Sequence, residues 1–196
     1  MRSGRLVGLA VVAFGMMVAC TRKEASPDQS SAGQTDYGLG RVPTTAELAA
    51  IDRDIDPLGR GLPAGRGTSA EGAEVYAAKC AGCHGAKGEG LAPNPALVGR
   101  TPDAGHNFAL ERGQKTIGNY WPYATTVFDY VRRAMPLAAP GSLTDAETYA
   151  VVAWLLAENR IIASTDTMTA ATLPAVRMPA RPYFVPDNRT GGPAFR

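Results

Sequence analysis

The sequence predicts an all-α domain flanked by long irregular arms. Two capping boxes, Thr68-Ser69-Ala70-Glu71 and Thr144-Asp145-Ala146-Glu147, each open a stretch with helical apolar spacing. Between them Val127, Val131 and Met135 recur every four residues, the spacing that shares one helical face. Most of the 22 Gly and 15 Pro fall outside these stretches, in segments without periodicity. A chain of 196 residues has room for one such domain and its flanks.

Taken in order, residues 1–20 read as a secretory signal: Arg2 and Arg5 precede an apolar run from Leu6 to Ala19, too short to span a bilayer comfortably. The run ends in Met17-Val18-Ala19-Cys20. A small residue before Cys is similar to the lipobox of bacterial lipoproteins, which makes Cys20 the expected lipid anchor of an exported, periplasmic chain. Cleavage there would remove two of the 20 basic side chains and no acid, leaving 18 against 18. A chain so balanced, with no basic stripe, argues against a nucleic-acid partner.

Residues 21–36 are polar and unpatterned, as expected of a flexible tether. Residues 37–67 form an N-terminal arm with too few apolar residues to fold alone. A short helix is expected within it near Thr45–Ile51, capped by Thr44 or Thr45. The domain proper spans residues 68–162. Its first helix runs from the Thr68 box to about Cys80, and residues 85–120 read as loops with short helical turns. Pro122 suits the first position of a helix over 122–134, which Pro136 stops just after Met135. The Thr144 box opens a last helix to about Arg160. Residues 163–196 are Pro-rich and read as an extended C-terminal arm.

The chemistry sits in Cys80-Ala81-Gly82-Cys83-His84, the attachment pattern of a c-type haem. Two thiols at this spacing reach the two vinyl groups of one porphyrin, and the turn between them swings His84 under the ring to meet the iron. A thiol–disulfide site is the first rival, but no strand of a βαβ unit precedes the motif. A zinc site is the second, but there is no further Cys pair, and the one other histidine is His106. With Cys20 lipidated and the other two Cys on haem, none of the three remains for a disulfide.

An electron carrier needs a sixth iron ligand, and a thioether favours ferrous iron. Met135 fits best, 51 residues after His84 and fixed in direction between a helix end and Pro136. His106, Met168, Met178 and an open site are the alternatives. Trp121 and Tyr123 either pack on the haem or bond a propionate, or else serve as ordinary core. No acid–base constellation is evident, so the chain is expected to carry electrons rather than catalyse.

Gly72-x-x-x-Tyr76-x-x-x-Cys80, with Trp154 on the last helix, resembles the helix crossing of class I cytochromes c. The resemblance covers about residues 68–162 and implies one covalently bound haem c. It also implies that a proline carbonyl downstream accepts the second N–H of the ligating imidazole; Pro95 fits best and Pro93 is the alternative. Leu97 would line the haem.

A narrower likeness runs further. Gly38-Leu39-Gly40-Arg41, the stretch Ile117–Thr126, the stretch Phe128–Pro136, and Met178-Pro179 with Phe184–Asp187 are similar to the cytochrome c subunits of bacterial sulfite and sulfane dehydrogenases. That likeness implies a molybdenum-containing dehydrogenase subunit as electron donor, a downstream cytochrome or oxidase as acceptor, and Met135 as the axial methionine. A general carrier serving another periplasmic dehydrogenase or a terminal oxidase is the alternative.

Overall fold

The computed structural model describes residues 38–99, 115–186 and 188. Cys20 and His106 lie outside the described residues. The chain divides into two units, Met1–Val42 and Pro43–Arg196. In the first, residues 38–42 are exposed.

Among the described residues, six α-helices and two short strands follow one another as α1 (Thr45–Ile51), β1 (Arg66–Thr68), α2 (Ser69–Lys79), α3 (Ala81–His84), α4 (Ile117–Tyr120), α5 (Ala124–Ala134), α6 (Asp145–Glu158) and β2 (Thr167–Thr169). Four of the helices start on a complete capping box. Thr44, Thr68 and Thr144 each exchange bonds with a Glu three residues on. Thr116 does the same with Asn119. Each box satisfies two otherwise orphaned helix-end N–H groups. Helix α5 starts at Ala124 with Tyr123 as its cap, two residues later than Pro122 suggests, and no side chain caps it. Its last turn ends with the Met135 N–H on the Val131 carbonyl at 3.1 Å.

The core forms where α2 and α5 pack on α6. Nine consecutive residues of α6, Thr148–Leu156, are buried. A helix buried on all sides must be covered by more than one neighbour, and the arms complete the cover. Helix α2 crosses α6 at Gly72, where a Cβ would overlap the Ala150 carbonyl; only glycine lets the two backbones approach this closely. One turn on, the Tyr76 and Trp154 rings stack with centroids 3.8 Å apart. Phe128 of α5 meets Tyr149 of α6 at 4.4 Å.

The N-terminal arm docks through backbone groups met by side chains of the helical core. In the N-terminal arm the Ile55 N–H donates to Asp129 at 3.1 Å. The Pro57 and Pro63 carbonyls accept from the hydroxyls of Thr125 and Tyr149 at 3.0 and 2.9 Å. Helix α1, by contrast, buries none of its residues.

The C-terminal arm adds β2, which pairs antiparallel with β1 in the register Arg66–Thr169, Gly67–Met168 and Thr68–Thr167. This small pair is an addition to the all-α expectation, and it zips the two arms together. Beyond it Leu173, Met178 and Ala180 are buried, so the arm contributes core. Among the described residues, no helix is long and apolar enough to cross a membrane.

Candidate functional site

The cysteine motif folds as a single helical turn. Helix α2 ends on Cys80, and α3 carries the chain from Ala81 to His84. The Cys83 and His84 N–H groups both bond the Cys80 carbonyl, at 3.1 and 3.0 Å. Residues three and four apart on such a turn lie on one side, so Cys80, Cys83 and His84 share a face. The turn is held at its far end by Tyr76, whose hydroxyl donates to the Gly85 carbonyl at 2.9 Å. Burial pushes that hydroxyl up to about 12, so it keeps the proton it donates.

Cys80 is half-buried and Cys83 exposed, and both are free. Burial pushes the Cys80 thiol up to about 11. Left alone it is a neutral thiol packed against the core at neutral pH.

His84 Nδ1 lies 2.9 Å from the Pro95 carbonyl oxygen. A carbonyl can only accept, so Nδ1 carries the proton and Nε2 keeps its lone pair. The imidazole is thereby set in the tautomer that offers Nε2 to a metal. The accepting loop is itself pinned, since the Leu97 and Val98 N–H groups bond the Gly88 carbonyl at 2.8 and 3.0 Å. Of the two prolines that suit this role, the structure puts Pro95 on the ring.

Four of the sequence-selected residues, Cys80, Leu97, Trp121 and Met135, are partly buried and pack against the core cluster. Each leaves apolar surface uncovered at the edge of the core. Two thiols on one turn, with an imidazole held through its Nδ1, are the donor set that a porphyrin iron bearing two vinyl groups would take. Trp121 donates its indole N–H to Thr126 Oγ1 at 2.8 Å, so that N–H is already occupied. Tyr123 caps α5, and the Arg181 guanidinium of the C-terminal arm sits 4.9 Å from its ring centroid. Met168 and Met178 are 4% and 3% exposed and belong to the core cluster, which uses them as packing.

One residue of the site has no sequence signature. Asn159, 2% exposed at the end of α6, bonds the Leu97–Gly99 loop and α4 together through its carboxamide. Only its type, an amide at a helix end, hints at such a role, and these partners lie 41 to 62 residues back in the chain.

A family model described as cytochrome c matches residues 69–158. A chain in the crystal structure of the sulfane dehydrogenase SoxCD from Paracoccus pantotrophus is 36% identical, with a TM-score of 0.67 over 81% of this chain and 80% of that one. The thiosulfate dehydrogenase TsdBA from Marichromatium purpuratum, in its as-isolated form, is 30% identical over 46% of this chain and 18% of that one, with a TM-score of 0.34. No curated protein matches. Cytochromes c hold haem c covalently and carry electrons. With more than a third of residues identical across four-fifths of both chains, the relationship extends through the whole domain: this chain belongs to the cytochrome c family.

Proposed function

We propose that the chain is a periplasmic monohaem cytochrome, the haem subunit that accepts single electrons from a molybdenum-containing sulfite or sulfane dehydrogenase subunit. A downstream cytochrome or oxidase would take them on. The observation that carries this reading is the reach of the likeness to the SoxCD chain. The cytochrome c model spans residues 69–158, whereas that likeness takes in 81% of this chain, arm residues included.

In this reading Cys80 and Cys83 would hold the haem as thioethers, each S–H having added across one of the two vinyl groups. His84 offers Nε2 to the iron while the Pro95 carbonyl holds its Nδ1–H. Met135 offers its thioether as the sixth ligand. Leu97, Trp121 and Tyr123 line the crevice and keep water from it. When bound, the haem supplies a one-electron ferric–ferrous couple. With His84 and Met135 both held by the fold, little rearrangement would accompany the electron. Cys20 carries the lipid, and residues 21–36 hold the domain off the membrane surface.

Two measurements test this. Purified dehydrogenase subunit and sulfite, or a sulfane substrate, are mixed with the oxidised cytochrome, and the ferrous absorption bands are followed. Reduction that requires both components is expected; no reduction with either substrate contradicts the assignment of the donor. The mass of the exported chain tests the anchor, which demands a mature protein beginning at lipid-modified Cys20.

A further inference from the structure

We infer that Asn159 is a positioning residue for the His84 imidazole, acting through the Pro95–Gly99 loop. The inference rests on the reading of His84 as the iron ligand and extends it to a residue more than seventy positions away.

The carboxamide of Asn159 is saturated. Its Oδ1 accepts from the Gly99 and Gly118 N–H groups, both at 3.1 Å. Its Nδ2 donates to the Leu97 carbonyl at 3.1 Å and to the Leu155 carbonyl at 2.8 Å. An amide offers two donors and an acceptor oxygen on one plane, which no hydroxyl, carboxylate or apolar group reproduces. The site is also shaped around it. A Cβ on Gly118 would stand 2.5 Å from Asn159 Oδ1, so the glycine leaves the space that the carboxamide fills.

Three segments meet there. The Leu97 carbonyl also accepts from the Ile117 N–H at 3.1 Å, while the Leu97 N–H donates to Gly88 at 2.8 Å. Leu97 is thus fixed on both sides of its peptide, two residues beyond the carbonyl that receives His84 Nδ1–H. The rotation of the imidazole is set by where that carbonyl sits. Its hydrogen bond also raises the basicity of the ring, which favours ferric iron. Loosening the loop should weaken the bond and favour the ferrous state.

The test compares Asn159→Ser with Tyr149→Phe in the haem-loaded protein. The second variant removes the part-buried bond to Pro63, a structural contact of the arm, and serves as the control. Two quantities are read: solvent exchange of the His84 Nδ1–H by proton NMR, and the reduction equilibrium against a mediator. Asn159→Ser should speed the exchange and shift the equilibrium toward ferrous by about two- to tenfold, the range of one hydrogen bond. Tyr149→Phe should change neither. Should Asn159→Ser fail to load haem, Gly118→Ala, which pushes the carboxamide aside, is read instead with the same expectation. Unchanged exchange and equilibrium in the variant that folds overturn the inference. A wild-type protein with no hyperfine-shifted His84 ring signals would instead remove the ligation reading, and this inference with it.

Discussion

The Tyr76 hydroxyl bonds the Gly85 carbonyl at 2.9 Å, and this bond joins α2 to the far side of the turn that carries both cysteines and His84. The same ring stacks on Trp154. Tyr76 therefore couples the attachment turn to the helix crossing. Tyr76→Phe keeps the stack and leaves a buried carbonyl without its partner. It should cost about 1–3 kcal/mol, read as a lower urea midpoint with an unchanged slope.

Gly72 gives a harsher result. A methyl there overlaps the Ala150 carbonyl and would stand 2.7 Å from Trp154 Cβ. Gly72→Ala must force α2 away from α6, and overpacking of this kind costs about 1–3 kcal/mol or more. The gain in helix propensity from Gly to Ala, about 1 kcal/mol, does not offset a clash with backbone. Thermal unfolding of the holoprotein should show a clear fall in midpoint.

The C-terminal arm is core, although nothing periodic announces it. Leu173 is fully buried, and Leu173→Ala should cost about 2–5 kcal/mol. A surface arm would tolerate the same change within about 0.5 kcal/mol. Denaturant unfolding of that single variant distinguishes the two.

Acid should loosen the contact between α2 and α6. Lys79 Nζ lies 2.5 Å from Glu147 Oε1, and Glu147 also closes the α6 capping box. The Lys79 bond first, and then the Thr144 N–H, hold the Glu147 carboxyl below its usual range. A carboxylate with a depressed folded pKa binds fewer protons folded than unfolded, so its contribution is present above the unfolded value and lost as the pH falls through the folded one. The pair is partly exposed and screened, so the effect is at most about 1 kcal/mol. Wild-type stability should fall below about pH 4.5 more steeply than that of Glu147→Gln, measured by denaturant unfolding across pH 3–7.

What was legible in the sequence were the local rules. Thr68-x-x-Glu71 and Thr144-x-x-Glu147 open their helices where expected, and Thr44, one of the two caps open for α1, closes a third box with Glu47. The fourth, at Thr116, uses Asn119 and lies in a stretch otherwise dominated by turn residues, so it gives no equal signal. The attachment turn is likewise a matter of spacing within a few residues, while the glycine of the crossing comes from the resemblance to class I cytochromes c.

The missing parts are long-range. The strand pair joins Gly67 to Met168 through three-residue strands too short to show alternation. Asn159 finds its partners by tertiary packing alone. The start of α5 moved because Tyr123 remains extended, and Pro122 thus precedes the cap. Met135 could be proposed from its place before Pro136, but its rivals Met168 and Met178 were set aside only once their burial was visible.

The central claim is that His84 and Met135 hold the iron of a haem fixed to Cys80 and Cys83. The ferric absorption spectrum of the purified protein tests it most directly, taken alongside Met135→Ala. The account predicts a low-spin spectrum with a sulfur-to-iron charge-transfer band toward the red, absent in the variant. A high-spin ferric spectrum in the wild-type protein, or a charge-transfer band that survives in Met135→Ala, would contradict it.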